Sequence, residues 1–185
     1  MKPNKFILDV DQTLLNTKAF VEAATADGRS KEACITPDIW NEFRVQDFLY
    51  PDVLQWLAEK RKDELEILSA YTPELGPLAK EFQERKVSEL RDFVDKITVM
   101  TGDKGPYLAE YSDEYNNIFI DDSITHHESA LRVAPQVHLL YMDRSTSQGG
   151  ASIEANAEKL YIPEGITHVR NMADVDRYME KLGLG

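Results

Sequence analysis

The 185-residue sequence lacks several features that mark whole classes of protein. Its one cysteine, Cys34, leaves no disulfide to form within the chain, and we expect an ordinary, partly buried thiol there. No apolar run approaches the length of a membrane span, and the first residues carry no basic or apolar leader pattern. The composition therefore predicts a soluble cytoplasmic protein without a membrane partner.

Clustered positive charge is also missing. The chain has 21 Lys and Arg against 33 Asp and Glu, a net charge of −12, and its basic residues are scattered. This argues against an extended nucleic-acid surface, because contact with many phosphates needs grouped Lys and Arg. A small phosphorylated substrate held through a metal ion remains compatible with this balance, and the oligomeric state stays open.

What the sequence does contain is a series of short apolar runs separated by longer amphipathic segments. Runs of strand length lie at residues 6–8, 65–68, 97–100, 118–120 and 137–141, with 167–169 as a possible edge strand. This alternation predicts an α/β fold in three layers, a Rossmann-like parallel sheet with helices on both faces. The length suits one domain over residues 1–185 with small insertions.

Helix signals lie between the predicted strands. Pro51 suits a first helical position ahead of an apolar face formed by Val53, Leu54, Trp56 and Leu57. Thr72-Pro73-Glu74 combines a capping hydroxyl, a proline and an acid, and predicts a second helix start. Further helices are expected through 20–21, after Thr36-Pro37, and over 123–133 and 174–182, whereas Gly149-Gly150 reads as a loop.

Polar residues follow the apolar runs, at the strand ends where ligands bind in a parallel sheet. The first run ends in Asp9-Val10-Asp11-Gln12-Thr13, the second in Ser69 and the fourth in Asp121-Asp122, and Lys104 follows the third. Carboxylates gathered at one edge repel one another unless a cation is bound. Oxygen ligands favour Mg²⁺, while a zinc site lacks its Cys/His cluster. Ser69 and Lys104 add a hydroxyl and a positive charge suited to a phosphoryl group.

In this arrangement the sequence resembles the haloacid dehalogenase superfamily, whose four motifs appear in family order as FILDVDQTL, EILSAYT, the Lys of GDKG, and NIFIDDS. The resemblance spans residues 5 to about 134. It implies an Mg²⁺-dependent phosphatase that acts on a small phosphorylated metabolite or nucleotide through an aspartyl-phosphate.

The resemblance also implies a role for each motif residue. Asp9 is the expected nucleophile, and Asp11 the general acid and base, a role for which it must hold a proton. For the metal, the resemblance implies Asp9, Asp11, Asp121 and Asp122, with Asp11 contributing its backbone carbonyl. For the phosphoryl group, it implies Thr13, Ser69, Ala70 and Lys104. Of the last acidic pair, Asp122 is favoured as the direct ligand and Asp121 as the water-mediated partner.

Two details qualify the resemblance. Gln12 stands where the family often has glycine, which questions the geometry of the loop more than its chemistry. The presence of Asp11 favours phosphoryl transfer over dehalogenation, since carbon–halogen cleavage needs no acid for an alkoxide.

Family members differ chiefly in their caps, and residues 16–48 have the length of a small helical one. Within it, Trp40 and Phe43 are interpreted as core packing rather than substrate contacts. Tyr71, beside Ser69, either lines the pocket or lies with its hydroxyl in solvent. His126-His127 is expected to be solvated or capping, because neighbouring helical residues point in different directions.

Three alternative functions remain. A phosphotransferase would pass the phosphoryl group to a sugar instead of water, and a non-catalytic regulator would bind phosphate without turnover. A signalling receiver domain uses similar residue types, but its paired acids come first and its lysine last, opposite to the order in this sequence.

Overall fold

The computed structural model describes residues 2–30, 35–145 and 161–184. Cys34 and the predicted loop at Gly149-Gly150 lie outside these ranges. Within them, every helix is too short or too polar to cross a bilayer.

A six-stranded parallel sheet forms the centre of the molecule, as the sequence predicted. The strands β1 to β6 are Asn4–Leu8, Leu65–Ala70, Lys96–Met100, Asn116–Asp121, His138–Met142 and Ile166–Val169. Their order across the sheet is β3-β2-β1-β4-β5-β6. The chain therefore builds outward from β1 in one direction and then returns to its other side with β4, which leaves a crevice at the carboxyl ends of β1 and β4.

Helices cover both faces of this sheet. The helices α1 to α7 are Thr17–Ala24, Pro37–Glu42, Val53–Glu59, Ala79–Ser88, Gly105–Leu108, Ile124–Val133 and Met172–Lys181, with short 3₁₀ turns at Val45–Phe48, Lys62–Glu64 and Pro73–Leu75. The three-layer α/β class is thus confirmed.

The core divides between the two faces because successive strand residues point in opposite directions. In β1, Phe6 and Leu8 pack into one cluster with residues of α3 and α7, whereas Ile7 packs into the other with residues of α5 and α6. Strands β2, β4 and β5 divide in the same way. Burial on both faces explains why these strands read as continuous apolar runs.

The two ends of the segment predicted as a cap, residues 16–48, lie next to each other in space. The backbone N–H of Asn16 donates to the carbonyl of Phe48 at 2.9 Å, beside a β-bridge between Leu15 and Leu49. The segment packs onto α4, where the rings of Phe20 and Trp40 lie 6.1 and 5.7 Å from that of Phe82. Trp40 is buried, as expected from core packing. The use of residues 16–48 as a cap stays a prediction.

Two helix predictions need correction. The helix expected from Thr72 stops after the 3₁₀ turn, because Gly76 has φ of +110°, and α4 begins only at Ala79. Thr72 makes no side-chain cap there. In α3, Leu54 is exposed rather than part of the buried face.

A close contact between α5 and α6 determines the position of the loop that carries Lys104. Gly105, the first residue of α5, lies so near α6 that a Cβ atom added to it would come within 2.8 Å of the backbone carbon of Ser129 and 2.9 Å of the nitrogen of Ala130. Glycine is needed here for space, since backbone atoms cannot move aside as a flexible side chain can.

We therefore expect Gly105→Ala to lower the free energy of unfolding by about 2 kcal/mol or more. Gly183→Ala is the matched control, because nothing lies within 4 Å of its added Cβ and only its φ of +69° is unfavourable, at about 1 kcal/mol. Urea unfolding of the two variants checks the difference. An equal or smaller loss for Gly105→Ala would show that α5 can move away from α6 at little cost.

Candidate active site

The predicted site residues meet at the carboxyl ends of the central strands. Asp9 directly follows β1, and its backbone N–H donates to the carbonyl of Ile120 in β4 at 2.9 Å. Asp121 is the last residue of β4 and Asp122 the next. Parallel pairing of β1 with β4 therefore brings these acids together, at the switch point of the sheet.

Asp9, Asp121 and Asp122 form one carboxylate cluster. Each offers an oxygen within 4.8 Å of the others, which is the spacing of residues that can hold a metal ion together. Asp9 and Asp121 are buried, and Asp122 is partly so. The predicted set of metal acids thus shares one location, with the exception of the side chain of Asp11.

Lys104 links two of these acids. Its ammonium donates to Oδ1 of Asp9 at 2.5 Å and to Oδ2 of Asp121 at 2.6 Å, and the side chain is 1% exposed. Burial opposes the charged form of Lys104, yet the carboxylates of Asp121 and Asp9 raise its pKa above the usual range. Lys104 is therefore a fixed positive charge within the cluster.

One lysine does not balance three carboxylates. Burial raises the pKa of Asp9 to about 7. The attraction of Lys104 opposes this rise, and repulsion from Asp121 adds to it. Burial and the charges of Asp121 and Asp9 also raise the pKa of Asp122. By contrast, Lys104 outweighs burial at Asp121 and lowers its pKa. One lysine therefore does not stabilise all three carboxylates in their charged form, and the cluster would accept a further positive charge.

Asp11 occupies a different environment, which corrects the expectation that all four carboxylates converge. Both of its oxygens accept from Nζ of Lys86 at 2.6 Å, Oδ2 also accepts from Gln83 at 2.8 Å, and Oδ1 accepts from the hydroxyl of Thr17 at 2.6 Å. These partners outweigh burial and lower the pKa of Asp11. In this arrangement Asp11 is ionised, contrary to the expectation that it holds a proton.

Three of the residues predicted for the phosphoryl group lie after β1 or at the end of β2. Ser69 is fully buried near the end of β2, and its hydroxyl accepts from Gln83 at 2.7 Å. Ala70 is the last residue of that strand. The hydroxyl of Thr13 is buried and has no hydrogen-bond partner in the part of the chain that the structure describes. The roles of these residues stay predictions.

Gln83 and Lys86 were missed by the sequence analysis. They lie three residues apart in α4, so both face the same side of the helix, where they are buried against Asp11 and Ser69. In sequence they stand among several charged residues of an amphipathic helix, whose solvated face has the same composition. Only their spacing distinguishes them.

A second missed group supports the loop after β1 from the other side. Gln12 adopts a left-handed φ of +57°, which explains why glycine is common at this position, and Oε1 of its side chain accepts from the hydroxyl of Tyr50 at 2.8 Å. The guanidinium of Arg144 lies 4.4 Å from the centre of the Tyr50 ring. Arg144 also donates twice to the carbonyl of Thr13, at 3.0 and 2.8 Å.

Arg144 connects this loop to the rest of the domain. Its Nη1 donates to both oxygens of Asp52, just before α3, and Oδ2 of Asp52 accepts from the backbone N–H of Met172 at the start of α7. The guanidinium is 1% exposed. Arg144 lies two residues after β5, and this position just beyond a strand end is the signal in the sequence that marks it.

The histidine pair differs from its prediction. His127 is fully buried rather than solvated, and its Nε2 lies 3.0 Å from the carbonyl oxygen of Asp121. Burial lowers its pKa, so the ring is neutral and this contact is an N–H donated to that carbonyl. His126 points elsewhere, with Nδ1 3.7 Å from Asp103, in agreement with the expected divergence of the two rings.

Sequence comparison finds no family profile and no curated protein that matches the chain. Solved structures do match it. A haloacid dehalogenase-like hydrolase from Burkholderia xenovorans LB400 has a TM-score of 0.65 at 14% identity and covers 100% of both chains. The HAD-hydrolase YfnB from Bacillus subtilis, solved bound to magnesium, and L-2-haloacid dehalogenase from Xanthobacter autotrophicus each score 0.60 at 13% identity over 97% of this chain and 99% of theirs.

These likenesses show that the chain has the haloacid dehalogenase-like fold. The resemblance seen in the four motifs is thereby confirmed for the fold, and at this level of identity for the fold alone.

The contacts of Arg144 lead to a prediction about the loop. We expect Arg144→Met to lower the free energy of unfolding by about 2 kcal/mol, because the buried carbonyl of Thr13 loses its donor and the partly exposed carboxylate of Asp52 keeps only the N–H of Met172. Arg144→Lys should lose less, since it keeps the charge but not the planar set of donors. Urea unfolding measures both.

Arg177→Met is the matched control, because Arg177 is 68% exposed and pairs only at the surface with Asp174. Its effect should stay within about 0.5 kcal/mol. A similar small effect at Arg144 would contradict the view that it holds the loop.

Proposed function

We propose that the protein is a magnesium-dependent phosphomonoester hydrolase that forms an aspartyl-phosphate on Asp9. The observation that carries the proposal is the buried cluster of Asp9, Asp121 and Asp122 around Lys104, at the switch point of the sheet. The fold is one that hydrolases use. The substrate class is a small phosphorylated metabolite or nucleotide, in keeping with the absence of clustered basic residues in the sequence.

The donor set fits a hard divalent cation. Three carboxylates supply only oxygen ligands, which Mg²⁺ prefers, and a bound cation would favour the charged forms that Lys104 alone does not stabilise at Asp9 and Asp122. Asp9, Asp121 and Asp122 would hold the ion, together with the backbone carbonyl of Asp11. The magnesium bound to the structural neighbour from Bacillus subtilis supports the same choice.

The proposed reaction has two steps. In the first, a carboxylate oxygen of Asp9 forms a bond to phosphorus while the ester P–O bond breaks, and the leaving oxygen takes a proton from Asp11. In the second, water forms a bond to phosphorus and gives a proton to Asp11 while the bond to Asp9 breaks and phosphate is released. Bound Mg²⁺ supplies positive charge that offsets the repulsion between the carboxylates and the phosphoryl oxygens.

The remaining residues position these groups. Lys104 fixes the orientation of Asp9 and offers its charge to the phosphoryl oxygens, while Ser69, Ala70 and Thr13 supply polar contacts around them. Asp11 must leave its bonds with Lys86 and take up a proton from solvent before it can protonate the leaving oxygen. A change in the position of the Asp11 side chain is therefore part of the proposed cycle.

Transfer to a sugar hydroxyl is the nearest alternative, because the first step is the same and only the acceptor in the second differs. Product analysis separates the two. A hydrolase releases inorganic phosphate in equal amount to the alcohol even when a sugar is added in excess, whereas a phosphotransferase forms a new sugar phosphate.

The proposal predicts the behaviour of Asp9→Asn. We expect this variant to hydrolyse p-nitrophenyl phosphate in the presence of Mg²⁺ at least about 10³-fold more slowly than the wild type, because an amide is not a nucleophile here. Removal of metal with EDTA should abolish wild-type activity, and added Mg²⁺ should restore it. Release of p-nitrophenol measures the rates.

Asp92→Asn is the control, since Asp92 is exposed and precedes β3, at the amino ends of the strands and away from the site. It should keep wild-type activity, and thermal unfolding of Asp9→Asn should confirm that the variant is folded. Equal rates for folded Asp9→Asn and the wild type would exclude Asp9 as the nucleophile.

A further inference from the structure

A groove lies beside the cluster, at the carboxyl ends of β2 and β3 and the start of α6. Its volume is about 450 Å³, and residues from these three elements line it. Those that matter for its chemistry are Ala70, Tyr71, Glu74, Asp103, Thr125 and His126. Tyr71 thus lines a groove, one of the two positions expected for it.

The groove is lined by residues that lie next to those of the candidate active site. Ala70, predicted to contact the phosphoryl group, is part of its wall. Asp103 directly precedes Lys104, and Nδ1 of His126 lies 3.5 Å from the backbone nitrogen of Lys104. A group attached to a phosphate at Asp9 therefore has this groove as adjoining space.

The charged residues that line the groove are acidic. Glu74 is exposed, and the carboxylate of Asp103 accepts from the backbone N–H of Gly105 at 3.0 Å and from the hydroxyl of Ser129. Burial lowers the pKa of His126, so that its ring is neutral near pH 7. Among the described residues that line the groove, none is Lys or Arg. The charge of Lys104 is engaged by Asp9 and Asp121.

Hydroxyl groups complete the lining. Thr72, Thr101 and Thr125 contribute them beside the phenol of Tyr71. A hydroxyl both donates and accepts, so these groups can bind alcohols and amines. A second phosphate or carboxylate placed here would face Glu74 and Asp103 with no positive partner among the described lining residues.

We propose that this groove receives the leaving group of the substrate and selects one that is uncharged or cationic, such as a polyhydroxylated or amino alcohol, over one that carries a second anion. The inference rests on the proposed phosphatase function and names its substrate class. It excludes bisphosphates and phosphorylated carboxylic acids as preferred substrates.

Two esters that share a three-carbon skeleton test this selection. Glycerol 3-phosphate and 3-phosphoglycerate differ in that a neutral hydroxymethyl group of the first is a carboxylate in the second. We expect the wild type with Mg²⁺ to favour glycerol 3-phosphate by about tenfold or more in kcat/KM. Glu74→Lys should reduce this ratio by about threefold to tenfold, chiefly through KM for 3-phosphoglycerate, and Glu74→Gln should reduce it by less.

Glu114→Lys is the matched control. Glu114 is exposed and precedes β4, at the amino ends of the strands. Its replacement by Lys changes the net charge of the protein by the same amount as Glu74→Lys. It should leave the substrate ratio unchanged. A wild-type preference for 3-phosphoglycerate, or a ratio that Glu74→Lys leaves as it was, would overturn the inference while hydrolysis itself upheld the proposed function. Inactivity of the wild type toward both esters and p-nitrophenyl phosphate would overturn the two together.

Discussion

The bonds from Lys104 to Asp9 and Asp121 bring together groups that the sheet by itself keeps apart. Lys104 follows β3, the edge strand, while Asp9 and Asp121 stand at the ends of β1 and β4. The lysine immediately precedes α5, which packs tightly on α6, and the missing Cβ of Gly105 permits that packing. Without that approach, the positive charge would lie at the edge of the sheet and the carboxylates would face one another unneutralised.

The sequence predicted the sheet and three of the four acids expected in the cluster, because both depend on local rules. Continuous apolar runs mark strands buried on two faces, and residues directly after such strands meet at one edge whatever the helices do. Asp9, Asp121 and Asp122 were therefore found from position alone. Their convergence needed only the parallel pairing of β1 with β4.

The partners of Asp11 could not be predicted in this way. Lys86 and Gln83 come from a helix, and which polar side of a helix meets a loop depends on how that helix packs. The error at Thr72 has a local cause instead, since a good cap sequence was overridden by the backbone turn at Gly76. Tertiary packing therefore decided the partners of Asp11, and it leaves no mark at short range in the sequence.

The charge inventory around the site indicates how an acidic protein can accept a phosphate. Lys86, Lys104 and Arg144 are each buried, and each is already paired with a carboxylate. A phosphoryl group that approached Asp9 would therefore add negative charge where the nearby cations are already engaged. Either one of these three pairs must open or a further cation must enter. The pair of Lys104 with Asp121 is the most costly of the three to open, because both side chains are buried. The three-acid cluster could supply the ligands for a further cation. Under the proposed function, the arrangement that disfavours phosphate in the bare protein would therefore recruit the ion that holds it.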